Sequence, residues 1–153
     1  MRHSKRLTAA AALLAVTAVL AGPAEAQWRR RGGGGWGAGA PYGRHFDPKT
    51  VETLEGEVLK IETVSPSRGM SPGIHVILKT AKEEVSVHLG PQWYLERQEF
   101  SVEPKERLTV TGSRVVLEGK PAVIASELRK GDLALVLRDA QGYHAWSGWR
   151  RSP

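Results

Sequence analysis

Apolar and polar residues alternate along most of the chain from Thr50 onward, which is the pattern of half-buried β-strands. The first alternating segment begins at Val51 and changes phase between Val58 and Ile61, which indicates a β-bulge or a strong bend near Gly56. Further alternating segments cover residues 74–80, 84–89, 107–116, 122–128 and 133–138. The pattern therefore predicts a chain built mainly of strands.

Turn-forming residues separate these segments and suggest how they connect. Residues 65–73 are rich in Pro, Gly and Ser, and residues 118–121 contain a Gly and a Pro, so both stretches are predicted loops. Gly90 and Pro91 precede a short stretch that suits the first turn of a helix. We predict a mainly all-β fold: an OB-like five-stranded Greek-key barrel, with a short helix between strands 3 and 4 and an appended C-terminal hairpin.

Three short motifs resemble those of exported bacterial OB-fold proteins of the stress-tolerance kind. They are Thr53-Leu54-Glu55-Gly56-Glu57-Val58, Val110-Thr111-Gly112 and Ala122-Val123-Ile124-Ala125. The resemblance covers about residues 51–128 and implies the same barrel. Residues 90–93 and 137–149 depart from that family, and a shared fold does not fix a function.

The N-terminus has the three-part order of a secretory signal peptide. Basic residues at positions 2–6 precede an apolar stretch at 7–21, and Ala24-Glu25-Ala26 supplies small residues for cleavage. The apolar stretch, about 15 residues, is short for a membrane span of roughly 20. We expect residues 1–26 to be removed, giving a periplasmic or secreted protein with no stable membrane span.

The composition divides the rest of the chain. Residues 27–49 combine arginine with dense glycine, which loses much entropy on ordering and buries little, so we predict a disordered linker. Residues 50–149 form the predicted barrel domain and residues 150–153 a basic tail. The chain has no cysteine, which excludes disulfides, thiolate metal sites, c-type haem attachment and thiol nucleophiles. Its net charge of +6 permits anionic partners without specifying nucleic acid.

The register of the hairpin formed by strands 2 and 3 follows from its apolar residues. When Val76 opposes Val87, both apolar sets face one core, Lys79 stands opposite Glu84, and Ile74 stands opposite Leu89. The same register sets two histidines against each other on the outer face of the sheet.

Those two histidines, His75 and His88, are candidate metal ligands. Opposed β-carbons lie about 4.5–5.5 Å apart, so two imidazoles could reach one Cu or Zn ion at roughly 2.0–2.1 Å from each nitrogen. A third ligand would come from Glu84, Ser86, His45, His144 or water. The same pair could instead be solvated, stack without a ligand, or contact a different ligand.

The outer face of strands 2 and 3 is the usual ligand surface of OB-folds, between the loops at 65–73 and 118–121. Ile77, Lys79 and Ser86 are therefore candidate ligand-binding residues. Trp93 and Trp146 are further candidates, because aromatic side chains near a basic surface suit single-stranded nucleic acid or a sugar. Such aromatics can alternatively close the open end of a small barrel.

The sequence contains no Gly-x-Ser-x-Gly elbow, no P-loop and no His-Glu-x-x-His motif. We therefore predict a non-enzymatic extracytoplasmic binding module that engages an envelope protein or a small ligand, with no certain cofactor. One alternative is a metal-handling or redox-accessory protein that uses His75 and His88. Another is a nucleic-acid-binding protein that uses the Arg/Gly segment and the aromatics, which an extracytoplasmic location disfavours.

Overall fold

The computed structural model describes residues 33–37 and 40–147; the predicted signal peptide and basic tail lie outside them. Three 3-10 turns come first, at Gly33–Gly35, Pro41–His45 and Pro48–Thr50. The strands are β1 (Val51–Val64), β2 (Gly73–Lys79), β3 (Glu84–Pro91), β4 (Arg107–Leu117), β5 (Lys120–Lys130) and β6 (Leu133–Val136). A short helix, α1 (Gln92–Leu95), separates β3 from β4. Among the described residues, no helix is long and apolar enough to cross a membrane.

The strands form one sheet in the order β3-β2-β1-β4-β5-β6. A parallel pairing of β3 with β5, from Ser86 opposite Ala122 to His88 opposite Ile124, closes the sheet into a ring. β6 pairs with the second half of β5 and continues into the predicted hairpin, where Arg138 bridges to His144. The predicted OB-like barrel, its helix and its appended hairpin are confirmed.

β1 bends where its change of phase predicts a bulge. Residues 51–57 pair with β4 and residues 57–64 pair with β2. The pairing with β2 changes register between Val58 and Lys60. A β-carbon added at Gly56 would lie 2.8 Å from the carbonyl carbon of Lys79, so glycine permits the close approach of the two strands.

The core of the barrel is formed by the inward residues of the alternating segments. The largest fully buried side chains are Val58, Val76, Leu78, Val85, Val87, Leu89, Leu108, Val110, Val123, Ile124, Leu128 and Leu137. Each such burial stabilises the fold by roughly 1.5–3 kcal/mol relative to exposure. The core therefore accounts for a folded domain that has no disulfide.

Residues 33–37 and 40–50 pack against the barrel, which differs from the disordered linker predicted over residues 27–49. Trp36, Tyr42 and Phe46 are buried, and the first two join the core. Burial of these three aromatic side chains holds the segment on the barrel, although its glycine-rich composition suggests disorder. We call residues 33–37 and 40–50 the N-terminal strap.

Trp146 is buried in the core, where it contacts the strap. Its indole is 4% exposed and packs edge-on against Trp36, with ring centroids 6.1 Å apart. Its Nε1 donates a hydrogen bond of 2.9 Å to the carbonyl of Trp36. The Trp146 indole therefore lies in the core and not on an exposed surface.

Candidate functional site

The hairpin of β2 and β3 has the predicted register through most of its length. Val76 stands opposite Val87, Lys79 opposite Glu84, and His75 opposite His88. One pair differs, because a bulge between Ile74 and His75 moves Ile74 from the predicted Leu89 to Gly90. The register therefore brings the two imidazoles together, as the sequence predicts.

The two imidazoles stack face to face instead of projecting into solvent. Their centroids lie 3.7 Å apart and their planes differ by 11°. Only 7% of His75 and 8% of His88 is exposed, so the expectation of solvated rings is wrong. The reason is the strap: the Tyr42 hydroxyl lies 2.7 Å from Nδ1 of His88, and the two rings are parallel within 6°.

Burial keeps this cluster uncharged at neutral pH. It lowers the pKa of His88 to about 3, with further lowering by His75 and by the Arg138 charge. Burial also lowers the pKa of His75, although Glu62 acts in the opposite direction. The pKa of Tyr42 is raised, again by burial. Two neutral imidazoles therefore form a polar surface without charge.

A buried cation lies behind the cluster. Arg138 donates a hydrogen bond of 3.0 Å to the carbonyl of Leu89 and another to the carbonyl of Ala125. Its guanidinium carbon stands 4.9 Å from the Trp146 ring centroid, a cation–π contact. Burial lowers its pKa to about 10. Arg138 thus ties the C-terminal hairpin to β3 and β5, and its charge disfavours a second positive charge on His88.

The stacked pair does not fit a single metal ion. An ion bound by an imidazole nitrogen lies near the plane of that ring, at roughly 2.0–2.1 Å from the nitrogen. Two nearly parallel planes stacked at 3.7 Å cannot both contain one ion. Within the described part of the chain, no group of three or more His, Cys, Asp or Glu residues could hold one. A shared ion would require at least one ring to rotate.

A cleft of about 400 Å³ opens over the histidines. The predicted flanking loops form two of its walls, with Ser65, Pro66 and Ser67 on one side and Glu118, Lys120 and Pro121 on the other. The remaining lining residues are Tyr42, His45, Val64, His75, Ser86, His88, Val116, Leu117 and Ala122. The cleft therefore combines hydroxyls and neutral imidazoles with aliphatic walls.

The other predicted ligand residues lie apart from this cleft, with one exception. Ser86 lines the cleft beside the histidines, whereas Ile77, its partner across the hairpin, does not. Lys79 ends β2 opposite Glu84, outside the cleft. Trp93 lies on α1 next to Tyr94, and Trp146 is buried in the core.

Tyr42 and Val116 are among the cleft residues that carry no prediction from the sequence. Tyr42 belongs to the strap, where Pro41 and Gly43 on either side suggest a loop. Val116, at the end of β4, is 70% exposed, which is unusual for an aliphatic residue and typical of a binding surface. Alternation from the buried Leu108 and Val110 places position 116 on the inward phase, so its exposure could not be predicted from the pattern.

Comparison with known protein families gives a match over most of the barrel. Residues 50–135, more than half of the chain, match the MamS/MamX magnetosome protein family. The matched range contains both histidines and both loops that flank the cleft. The stress-tolerance kind of OB-fold protein, which the sequence motifs resemble, is not the family that matches. No curated protein matches the chain.

Proposed function

Since the chain belongs to the MamS/MamX magnetosome protein family, we propose that it serves the magnetosome as a non-enzymatic accessory protein. It binds a partner segment or a small ligand in the cleft over His75 and His88. It works outside the cytoplasm. This location is proposed because a signal peptide is predicted at residues 1–26.

One observation carries the binding role: four separate elements meet at one cleft. The loop after β1, the paired strands β2 and β3, the turn between β4 and β5, and the strap all contribute lining residues. Aliphatic walls with a few polar groups at the floor are the usual make-up of a ligand site. Val116 on the wall has most of its side chain exposed, so a ligand there would bury apolar surface.

The protonation state of the floor supports binding over catalysis. A general base works best when its pKa lies near the working pH, and that of His88 lies at about 3. Its Nδ1 is also held by the Tyr42 hydroxyl. This imidazole is therefore a hydrogen-bonding group and a poor acceptor of protons near neutral pH.

The charge of the cleft argues against the nucleic-acid alternative. Lys120 on the wall is offset by Glu118, and the histidines at the floor are neutral. Binding of phosphates relies on a stripe of cationic groups. The metal-handling alternative requires a rearrangement of the stacked rings, so an uncharged ligand that forms hydrogen bonds fits the cleft best.

Photocrosslinking in the native organism tests the binding site. A photoreactive residue at Val116 lies on the cleft wall, and a matched one at Leu133, an exposed aliphatic residue of β6, lies outside the cleft. We expect a discrete adduct from position 116 and none from position 133. Adducts of the same kind from both positions, or none from position 116, would contradict the proposed site.

The proposed location has its own measurement. Intact-mass analysis of the protein taken from its native compartment should show a chain that begins at Gln27. A chain that keeps residues 1–26 would contradict the proposed extracytoplasmic location. It would not bear on the proposal that the cleft binds a ligand.

A further inference from the structure

We infer that the outer face of β2 and β3, together with the adjoining C-terminal hairpin at Gly142, is a groove for peptides with aromatic anchors, and that the N-terminal strap occupies it in cis. A partner segment of the same chemistry would displace the strap and gain access to His75 and His88. The inference rests on the proposed function, because it names the partner class and the regulation of the same face.

Glycines shape the seats of two strap aromatics. A β-carbon added at Gly73 would collide with the Trp36 ring, with Cη2 at 2.7 Å. A β-carbon added at Gly142 would lie 2.5 Å from Cδ1 of Phe46. Real β-carbons do not come so near other atoms, so only glycine at these two positions leaves room for the rings.

Hydrogen bonds also hold two of the strap aromatics, Trp36 and Tyr42, in place. The Trp36 indole donates to the carbonyl of Ser71 at 3.0 Å, and the Tyr42 hydroxyl bonds to Nδ1 of His88 at 2.7 Å. In peptide recognition, an anchor residue usually fills a cavity with its ring and forms a hydrogen bond through its polar atom. The groove therefore selects aromatic side chains, with a polar atom at the positions of Trp36 and Tyr42 and none at that of Phe46.

The strap itself is attached through these side chains and not through strand pairing. It consists of 3-10 turns, and its backbone meets the barrel through separate hydrogen bonds. Ser71 N donates to the carbonyl of Gly34 at 2.7 Å, Trp146 Nε1 donates to the carbonyl of Trp36 at 2.9 Å, and Asp47 N donates to Ser113 Oγ at 2.9 Å. Glycines at 33–35, 37 and 43 regain much conformational entropy on release. A segment held in this way opens locally at lower free energy than the barrel unfolds.

Displacement of the strap would enlarge the ligand site. Tyr42 and His45 line the cleft from the strap side, so the strap forms one of its walls. Nε2 of His75 is buried and has no hydrogen-bond partner, which leaves a polar group for an incoming backbone or side chain. The expected partner is a segment with the turn-forming composition of the strap, containing Gly or Pro, with Trp and Tyr or Phe as anchors.

Hydrogen exchange on the unaltered protein tests whether the strap opens. We expect the backbone amides of Ala40 and of residues 42–46 to exchange at least about tenfold faster than those of Val76 and Val87 in the core strands. Equal rates would show that the strap leaves only when the barrel unfolds, and would overturn the inference. This measurement needs no variant.

A synthetic peptide of residues 33–50 tests the groove in trans. A strap that is closed most of the time weakens the apparent affinity, so we expect full-length protein with Trp36→Ala to bind the peptide about tenfold more tightly than wild type. Tyr143→Ala, which removes an exposed aromatic, is the matched control and should bind like wild type. Tyr42→Phe, which removes only the hydroxyl, should lie between them and serves if the first variant does not fold.

Two further outcomes separate this inference from the proposed function. A peptide with alanine at positions 36, 42 and 46 should bind at least about tenfold more weakly, and equal binding would overturn the aromatic anchors. If Trp36→Ala increases the affinity for an oligothymidine as much as the affinity for the peptide, the inference that the groove binds peptides would be overturned. If the peptide fails while Val116 still yields a discrete adduct, the cleft stands and the peptide groove falls.

Discussion

The buried imidazole of His88 makes the stability of the protein depend on pH in a calculable way. Its pKa is about 3 in the folded chain, against 6.5 as the ordinary value. The unfolded chain therefore binds more protons than the folded chain as the pH falls below 6.5, and the free energy of unfolding decreases. This contribution is complete above pH 6.5 and is lost progressively down to about pH 3.

The size of the effect follows from the two pKa values. Between pH 7 and pH 5, the difference in proton binding at His88 lowers the free energy of unfolding by about 2 kcal/mol. That interval lies above the ordinary pKa of carboxylic acids, so imidazoles dominate the titration there. His75, whose pKa burial also lowers, adds to the loss in the same direction.

Urea unfolding at pH 7, 6 and 5 measures this loss directly. His88→Asn keeps an amide near the Tyr42 hydroxyl but takes up no proton, so its stability should fall by about 2 kcal/mol less than that of wild type over the interval. Tyr143→Ala, which removes an exposed side chain outside the cluster, should keep the wild-type slope. An unchanged slope in His88→Asn, or an NMR titration of His88 near 6.5, would refute the reasoning.

Three further predictions concern other contacts of the site. Gly73→Ala forces a methyl group against the strap indole and should cost about 1–3 kcal/mol in urea unfolding, whereas Gly43→Ala, which meets nothing within 4 Å, should cost much less. Arg138→Met removes a charge that lowers the pKa of His88, so NMR should show that pKa rise, whereas Arg138→Lys should leave it low. Calorimetric titration with Zn(II) should give the same affinity for wild type and His75→Ala, because the stacked rings do not share an ion; a tenfold loss in the variant would show that a ring rotates to bind one.

The barrel and its histidine pair could be predicted because alternation fixes them locally. Burial of Val76 and Val87 on one face sets the register of the hairpin, and opposite charges at Lys79 and Glu84 agree with it. The fold order then follows from the position of α1 between β3 and β4. The pairing of His75 with His88 is a consequence of that register and needs no tertiary information.

The strap could not be predicted, because its stability is tertiary. The many glycines of residues 33–50 indicate a large loss of conformational entropy on ordering. They do not indicate the cavities on the barrel that hold the Trp36 and Phe46 rings. Those cavities exist because Gly73 and Gly142, far apart in sequence, stand under the rings. The two imidazoles are buried because the strap covers them. Alternation therefore predicted the correct face of the sheet for both rings but the wrong exposure.

The ring–glycine seats also constrain how this sequence can diverge. Position 73 can gain a side chain only when position 36 loses its indole, and the same exchange links position 142 to position 46. Related barrels should therefore change both members of a couple together or neither. An alignment deep enough to reveal correlated substitution would show, without any structure, which relatives carry a cover over their histidine strands.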